Sequence, residues 1–127
     1  MAGKLVHFEV PADDTGRALE FYGKLFGWQF ESFEGSPIEY HMTQLAEGMG
    51  GAVHRADQGG GIPGIFVYFD VDDIGDGAGR VQELGGSAED PMPVPGMGWF
   101  VRCADTEGNR FGLWQNDASA GTSESPV

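Results

Sequence analysis

The sequence predicts an α+β fold in which a module of one strand, one helix and three strands occurs twice. An alternating run at residues 4–10 leads into an amphipathic segment, the same order restarts at residue 65, and each half closes with short strand-like runs. Two sheets formed in this way would close into a cup with the helices outside. The modules span about 4–55 and about 64–116 within a single domain, residues 1–116.

The first strand of the chain has one apolar face and one polar face. In the run KLVHFEV, Val6, Phe8 and Val10 alternate with two polar residues. Because successive side chains of a strand point to opposite faces, His7 and Glu9 share the face away from the core. The alternation therefore places both polar side chains either in the pocket, where His7 could act as a base or hydrogen-bond donor, or on a solvated face without a functional role.

The rest of the first module follows from helix and turn signals. Asp13 or Asp14 caps a helix that runs to about Phe26 and ends at Gly27. The module then continues with three strand-like runs, WQFESF, IEYHMTQL and GGAVHR. The stretch RADQGGGIPG is a loop between the modules.

The second module repeats this order with different side chains. IFVYFDV is its first strand, and DDIGDGAGRVQELGG starts with aspartate caps and ends in glycines, as a helix does. SAEDPMPVPG reads as an irregular connection. MGWFVRCA and RFGLWQ form a closing hairpin around the tight turn DTEGN. The small and polar residues 117–127 predict a disordered tail.

Charge and composition exclude several classes of partner. The chain has 127 residues with 20 acidic and 7 basic side chains, a net charge of −13. This charge repels nucleic acid and anionic membrane surfaces, and no apolar run approaches the ~20 residues of a membrane helix. We find no signal peptide, and the lone Cys103 fits a reducing cytoplasm. Without an evident activating partner, Cys103 is expected to be buried and inert.

The repeat resembles the vicinal oxygen chelate family, which includes glyoxalase I, extradiol dioxygenases and bleomycin resistance proteins. The similarity lies in HFEVPADDTGRALEFYGKLFGW of the first half, and in FVYFDVDDI and DTEGNRFGLWQ of the second. It covers nearly all of the chain before the tail. It implies a glyoxalase-like cup and a homodimer, since the family commonly dimerises to complete its cups.

The resemblance also implies a divalent metal site, which this sequence keeps at one position of four. Family metal enzymes place a histidine or glutamine seven residues before the helix cap of each half, where this chain has His7 and Phe66. They place a glutamate on the last strand of each half, where it has Gly112 and either Gly50 or Gly51. A catalytic zinc needs three protein ligands. We therefore expect no cofactor, and a recruited divalent metal is the less favoured alternative.

Aromatic side chains suggest what replaces the metal. Several of them fall on strands that would line the cup and would suit a planar organic molecule. The predicted ligand-binding residues are His7, Tyr40, Met42, Phe66, Tyr68, Trp99 or Phe100 (of which Phe100 is preferred), and Trp114. Core packing or a dimer seam would explain the same residues. His41 and His54 lack ligand-like spacing and are expected to be ordinary surface histidines.

Two classes of function follow from these residues. One is a metal-independent binder of a small aromatic or amphipathic molecule, similar to the family's drug-sequestering resistance proteins. The other is an enzyme, a lyase, isomerase or dioxygenase, with a recruited metal or with metal-free acid–base catalysis. In that alternative His7 and Glu9 are the catalytic residues, close enough on one strand face to form an acid–base pair. The sequence does not decide between a binder and an enzyme.

Overall fold

The computed structural model describes residues 3–58 and 63–121. Contacts divide the chain into two compact units. The first unit comprises residues 6–67, and the second comprises residues 1–5 and 68–127. No helix among the described residues is long and apolar enough to cross a membrane.

The first unit contains one helix and four strands. Its elements are β1 (Leu5–Ala12), α1 (Thr15–Phe26), β2 (Glu31–Ser32), β3 (Tyr40–Ala46) and β4 (Met49–Arg55), followed by a 3₁₀ turn (Ala56–Gln58). The strand order is β2-β3-β4-β1, with β1 parallel to β4 and the other pairs antiparallel. A helix beside a mixed group of strands confirms the α+β class for this half.

Helix α1 begins and ends where the sequence predicts. The Asp14 side chain accepts a hydrogen bond from the Arg17 N–H at 3.0 Å and so satisfies one of the free donors of the first turn. Gly27 ends the helix with a φ of 77°, a conformation that glycine adopts without steric cost. Of the two aspartates that could cap the helix, Asp14 is the one that does.

The two faces of the first sheet carry different kinds of side chain. The Phe8 ring lies over Gly51, where a β-carbon would collide with it, and contacts the Trp28 ring at a centroid distance of 5.5 Å. Trp28 in turn stacks on Tyr22 of α1 at 5.5 Å. Helix α1 therefore covers the Phe8 face. The opposite face, which carries His7, is called the polar face and consists of His7, Glu9, Tyr40, Met42, Ala52 and His54.

The second unit repeats the helix and strands with one additional short strand, β7 (Met92–Val94). Its elements are β5 (Phe66–Asp70), α2 (Ile74–Glu83), β6 (Ser87–Ala88), β7 (Met92–Val94), β8 (Gly98–Ala104) and β9 (Arg110–Asn116). The first two residues of β5 cluster with the first unit. The strand order is β5-β9-β8-β6, with β5 parallel to β9, and β7 also pairs with β8.

Helix α2 packs on one face of the second sheet. Asp73 caps it by accepting from the Asp76 N–H. Ile74 of α2 packs against Val101, Cys103 and Leu113 of the sheet, and the four side chains form a buried cluster. Partly buried residues of α2 surround this cluster. The opposite face, called the aromatic face, consists of Tyr68, Phe100, Arg102, Gly112 and Trp114.

Two connections differ from the sequence prediction. In WQFESF only Glu31–Ser32 is a strand, because the Trp28 ring packs against the α1 residues Tyr22 and Phe26. SAEDPMPVPG is not wholly irregular, since β6 and β7 both pair with β8. Backbone pairing compensates for the weak strand propensity of these prolines and small residues. β6 pairs with the far end of β8, whereas β7 forms a hairpin with its start, where Val94 lies opposite Gly98.

The predicted tail and loop are described only in part. Residues 117–121 form turns, and Ala120 is buried and accepts a backbone hydrogen bond from Gly96 at 2.9 Å. This first part of the predicted disordered tail therefore has a defined place in the second unit. Residues 122–127 of the tail and 59–62 of the inter-module loop lie outside the described residues.

Candidate functional site

Three polar side chains of the first unit form a hydrogen-bonded chain on the polar face. The Tyr40 hydroxyl donates to Glu9 Oε2 at 2.7 Å and lies 2.7 Å from His7 Nε2. Strand pairing explains the arrangement, because β4 pairs with β1 on one side and with β3 on the other. The prediction that His7 and Glu9 share a face is met, and Tyr40 joins them.

The geometry fixes the proton positions of this chain. A phenolic oxygen has a single proton, so when Tyr40 donates to Glu9 it accepts from the N–H at His7 Nε2. Burial lowers the pKa of His7 below its usual range, and the charge of Glu9 opposes this shift in part. His7 is therefore neutral at pH 7, and Nδ1 is its acceptor nitrogen.

His54 extends the polar face beside Tyr40. It pairs with Tyr40 across β3 and β4, and the two rings stack at 6.3 Å with an interplanar angle of 15°. Its Nδ1 lies 3.0 Å from the Arg55 carbonyl, which can only accept, so Nδ1 carries the proton. His54 is 7% exposed, so the expectation of an ordinary surface histidine is wrong.

His41 lies on the face covered by α1, away from the polar face. It contacts Glu39 Oε2 at 2.8 Å, and the Thr15 hydroxyl donates to the same oxygen at 2.6 Å. These hydrogen bonds, first from His41 and then from Thr15, lower the pKa of Glu39. His41 therefore belongs to a polar cluster at the start of α1, and the three histidines do not converge on one site.

The predicted aromatic residues of the second half gather on the aromatic face. Tyr68 is buried, and its ring meets the Phe100 ring edge-on at 6.3 Å. Phe100 pairs with Trp114 across β8 and β9. Strand alternation places Trp99 on the other face, where it packs against the core under α2. Of the alternatives Trp99 and Phe100, the second is therefore the residue of this face.

The register of the strands locates the four metal-ligand positions that the resemblance implies. His7 and Phe66 stand seven residues before the two helix caps. Tyr68 pairs with Gly112 in the second unit, and in the first unit the equivalent residue Glu9 pairs with Ala52. The counterpart of Gly112 is therefore Ala52, and not Gly50 or Gly51 as the sequence suggested.

These four positions do not fit a divalent metal. Phenylalanine, alanine and glycine offer no side-chain donor, so only the imidazole of His7 could contribute. Across residues 3–58 and 63–121, no three His, Cys, Asp or Glu side chains gather into a group that could hold a metal ion. We therefore derive no chemistry through a metal.

Cys103 has the environment that the sequence predicts for an inert cysteine. It is 2% exposed and belongs to the core under α2. Desolvation, with a contribution from the charge of Glu89, raises the pKa of its thiol to about 11. A thiol of this kind is not a nucleophile at neutral pH.

Sequence reasoning did not single out two residues of these faces. His54 was set aside because it has no ligand-like spacing, although alternation along β4 places it with Ala52. Arg102 was not predicted as a site residue, although alternation along MGWFVRCA places it with Phe100. Period-two alternation was thus the signal for both residues.

The chain resembles proteins of known family and known fold. A sequence model described as the Glyoxalase/Bleomycin resistance protein/Dioxygenase superfamily matches residues 4–113. A glyoxylase-like domain-containing protein of Didymella fabae is 31% identical over 121 residues, which cover 87% of this chain and 92% of that relative.

Two solved structures show the same fold at low sequence identity. The methylmalonyl-CoA epimerase from Mycobacterium tuberculosis has a TM-score of 0.67 and 16% identity, covering 90% of this chain and 88% of its own. A hypothetical protein from Bacillus halodurans C-125 has a TM-score of 0.70 and 15% identity, covering 94% and 99%. These likenesses confirm the predicted glyoxalase-like fold.

Proposed function

Since the chain belongs to the Glyoxalase/Bleomycin resistance protein/Dioxygenase superfamily, we propose that it binds a small aromatic or amphipathic molecule without the family's metal. The hydrogen-bonded chain of His7, Tyr40 and Glu9 carries this proposal. Of the four metal-ligand positions, His7 alone has a side chain that could bind a metal, and its imidazole is hydrogen-bonded to the Tyr40 hydroxyl. The polar face thereby becomes a preorganised set of hydrogen-bonding groups.

Apolar and aromatic side chains support the chemical class of the ligand. Tyr40 and Met42 flank the polar groups of the first unit, and the stacked pair of Tyr40 and His54 presents flat rings. Tyr68, Phe100 and Trp114 form the aromatic face of the second unit. Aromatic rings and a thioether bind planar apolar groups, and a few fixed polar groups orient them.

Metal content and ligand binding together test the proposal. The protein is purified without chelators, its metal content is measured, and thermal shifts are recorded for a panel of aromatic compounds with and without EDTA. We expect substoichiometric metal and at least one compound that raises the melting temperature equally in both conditions, since stabilisation grows with occupancy. Stoichiometric metal that is lost in His7→Ala would overturn the metal-free proposal.

A matched pair of variants shows where the compound binds. Tyr40→Phe removes the hydroxyl between His7 and Glu9, whereas Tyr22→Phe makes the same chemical change within the ring cluster beneath α1. Binding should weaken in the first variant only. Equal affinity in both would remove the polar face from the proposed site.

The second candidate is metal-free acid–base catalysis on the same chain of residues. The observation that favours it is the unbroken hydrogen bonding from His7 through Tyr40 to Glu9, along which a proton could pass. One structural neighbour, from Mycobacterium tuberculosis, is a methylmalonyl-CoA epimerase, which is an activity of that protein. In this candidate the Glu9 carboxylate removes a proton from carbon, and Tyr40 returns one from the polar face.

Hydrogen exchange separates this candidate from a binder. Compounds that bind are incubated with the protein in D₂O, and loss of carbon-bound hydrogen is followed by NMR. An acid–base enzyme would exchange it, and Glu9→Gln would slow exchange by about 10²–10⁴-fold. Binding without any exchange supports the binder.

Dimerisation and location remain proposals from the sequence. Phe21, Leu25 and Phe26 of α1 are each more than half exposed, which supports a homodimer seam on this helix. Light scattering should give a dimer for the native chain and a monomer for Leu25→Glu. Ile65→Glu, at another exposed apolar residue, is the control and should remain dimeric. The lone cysteine supports a cytoplasmic location.

A further inference from the structure

We infer that the aromatic face of the second unit binds a small molecule with an anionic oxygen group, a carboxylate or a phosphate, which pairs with Arg102. This inference rests on the proposed small-molecule function and adds the charge of the ligand to it. It is carried by an arginine that, among the residues the structure describes, has no carboxylate partner although the chain is strongly acidic.

Arg102 differs from every other arginine of the described residues. The other four each have a carboxylate oxygen within 4.0 Å: Arg17 with Asp14, Arg55 with Asp57, Arg80 with Glu83, and Arg110 with Glu89. Within residues 3–58 and 63–121, no carboxylate lies within that distance of Arg102. Its Nε is buried and lacks a hydrogen-bond acceptor, which is also true of Arg55 Nε, but Arg55 has carboxylates beside its terminal guanidinium nitrogens and Arg102 does not.

The acidic residues nearest to Arg102 in the strand pattern have other partners. Glu89 donates its backbone N–H to the Arg102 carbonyl, but its carboxylate pairs with Arg110 at 3.6 Å. Asp70, at the end of β5, accepts a hydrogen bond from the Lys4 backbone N–H at 2.8 Å. Neither carboxylate is therefore paired with the Arg102 guanidinium, whose N–H groups can donate to an anion that is not part of the chain.

The surroundings of Arg102 suit an aromatic molecule with a negative group. Its guanidinium carbon lies 6.0 Å from the centre of the Phe100 ring, a cation–π arrangement that orients the side chain. Gly112, which has no side chain, is its direct neighbour on β9, and Trp114 follows on the same face. The planar fork of an arginine matches carboxylate and phosphate oxygens, so a ring and an anionic group can bind side by side.

The net negative charge of the chain limits the places where an anion can bind, and Arg102 is one such place. At −13, the chain as a whole repels anions in solution. An anionic ligand therefore binds only where a local donor outweighs this repulsion. An unpaired buried donor is costly to the fold, and an anion bound at Arg102 would remove this cost.

Matched probes test the inference in the full-length protein. Affinities of 2-naphthoate, 2-naphthyl phosphate and 2-naphthamide are measured by calorimetry for the native chain, Arg102→Gln, Arg102→Lys and Arg110→Gln. We expect one or both acids to bind about ten- to a hundredfold more tightly than the neutral amide. Arg102→Gln should abolish that preference and Arg102→Lys should retain part of it, while Arg110→Gln, an exposed and paired control, leaves it intact.

Each outcome decides the inference. A preference for the carboxylate or for the phosphate identifies the anion. If the amide binds as well as the acids, or Arg102→Gln leaves the preference unchanged, the inference is overturned and the small-molecule proposal stands. If no naphthyl compound and no other matched acid and amide pair binds, both are overturned. The comparison within the native chain remains valid even if Arg102→Gln does not fold.

Discussion

The two units of this protein share a strand register and differ in the chemistry of the face opposite their helix. The strand registers match each polar residue on this face of the first module with an apolar or aromatic residue of the second module, to which Phe66 belongs in sequence although it clusters with the first unit. The pairs are His7 with Phe66, Glu9 with Tyr68, Tyr40 with Phe100, and His54 with Trp114. One face is a hydrogen-bonded network, and the other is aromatic.

At one position the order is reversed, so that the second unit has a charged residue where the first has an apolar one. Met42 of the first unit corresponds to Arg102 of the second, so the polar face has a thioether where the aromatic face has a cation. The carboxylate of Glu9 belongs to a hydrogen-bonded chain within its own unit, whereas Arg102 has no carboxylate near it among the described residues. The same strand arrangement thus carries a hydrogen-bonded network in one unit and, in the other, an arginine without a carboxylate partner among the described residues.

The largest expected effect concerns the faces that the helices cover. Cys103 lies under α2, and with a pKa of about 11 only about one thiol in a thousand is ionised at pH 8. We expect it to react with a thiol reagent at least about a hundredfold more slowly in the native protein than in urea. Equal rates in both conditions would mean that the α2 face opens readily.

The next effect is the loss of the hydroxyl that joins the polar network. Tyr40→Phe leaves the His7 N–H and the Glu9 carboxylate without this partner, and should lower the free energy of unfolding by about 1–3 kcal/mol. Tyr22→Phe, which removes a hydroxyl from the ring cluster beneath α1, should change it much less. Urea unfolding measures both, and equal losses would contradict a special role for the network.

Much of the fold could be predicted because its signals are local. Aspartate caps, the glycine after α1 and the period-two runs all act within a few residues, so β1, α1, β5 and the α2 cap were predicted correctly. Alternation alone also placed His7 and Glu9 together. β6 was missed because pairing with the far end of β8 stabilises it, which no local pattern encodes. β7 was missed although its hairpin with β8, in which Val94 lies opposite Gly98, is a local feature.

The candidate site could be predicted only where alternation was sufficient. Tyr40 was predicted to bind ligand, but its bonds to both His7 and Glu9 depend on the register of β3 against β4 and of β4 against β1. The same register moved the expected ligand position from Gly50 or Gly51 to Ala52. Register is a long-range property set by strand pairing, so a single sequence does not reveal it.

A smaller effect should appear in the pH dependence of stability. Burial lowers the pKa of His7 in the folded chain, so the unfolded chain binds more protons as pH falls below 6.5. Stability should therefore decrease from pH 6.5 towards pH 5, and His7→Gln should flatten this decrease. The carboxyl groups of Glu39, Asp105 and Asp117 have pKa values below their ordinary values, which are themselves 4.5 or less. These groups therefore titrate outside this window. Urea unfolding across the window checks the slopes, and parallel slopes would contradict the assignment.

The smallest expected effect is on the stability of the aromatic face. Arg102→Met gives this face the residue found at the equivalent position of the polar face, Met42. Because no ion pair is lost and an unsatisfied Nε–H is removed, the free energy of unfolding should stay within about 1 kcal/mol of the native value or rise. Arg110→Met, which breaks an exposed ion pair, should likewise cost less than about 1 kcal/mol. A loss above about 2 kcal/mol in Arg102→Met alone would show that the guanidinium supports the fold, and the contrast between a satisfied face and an open one would fail.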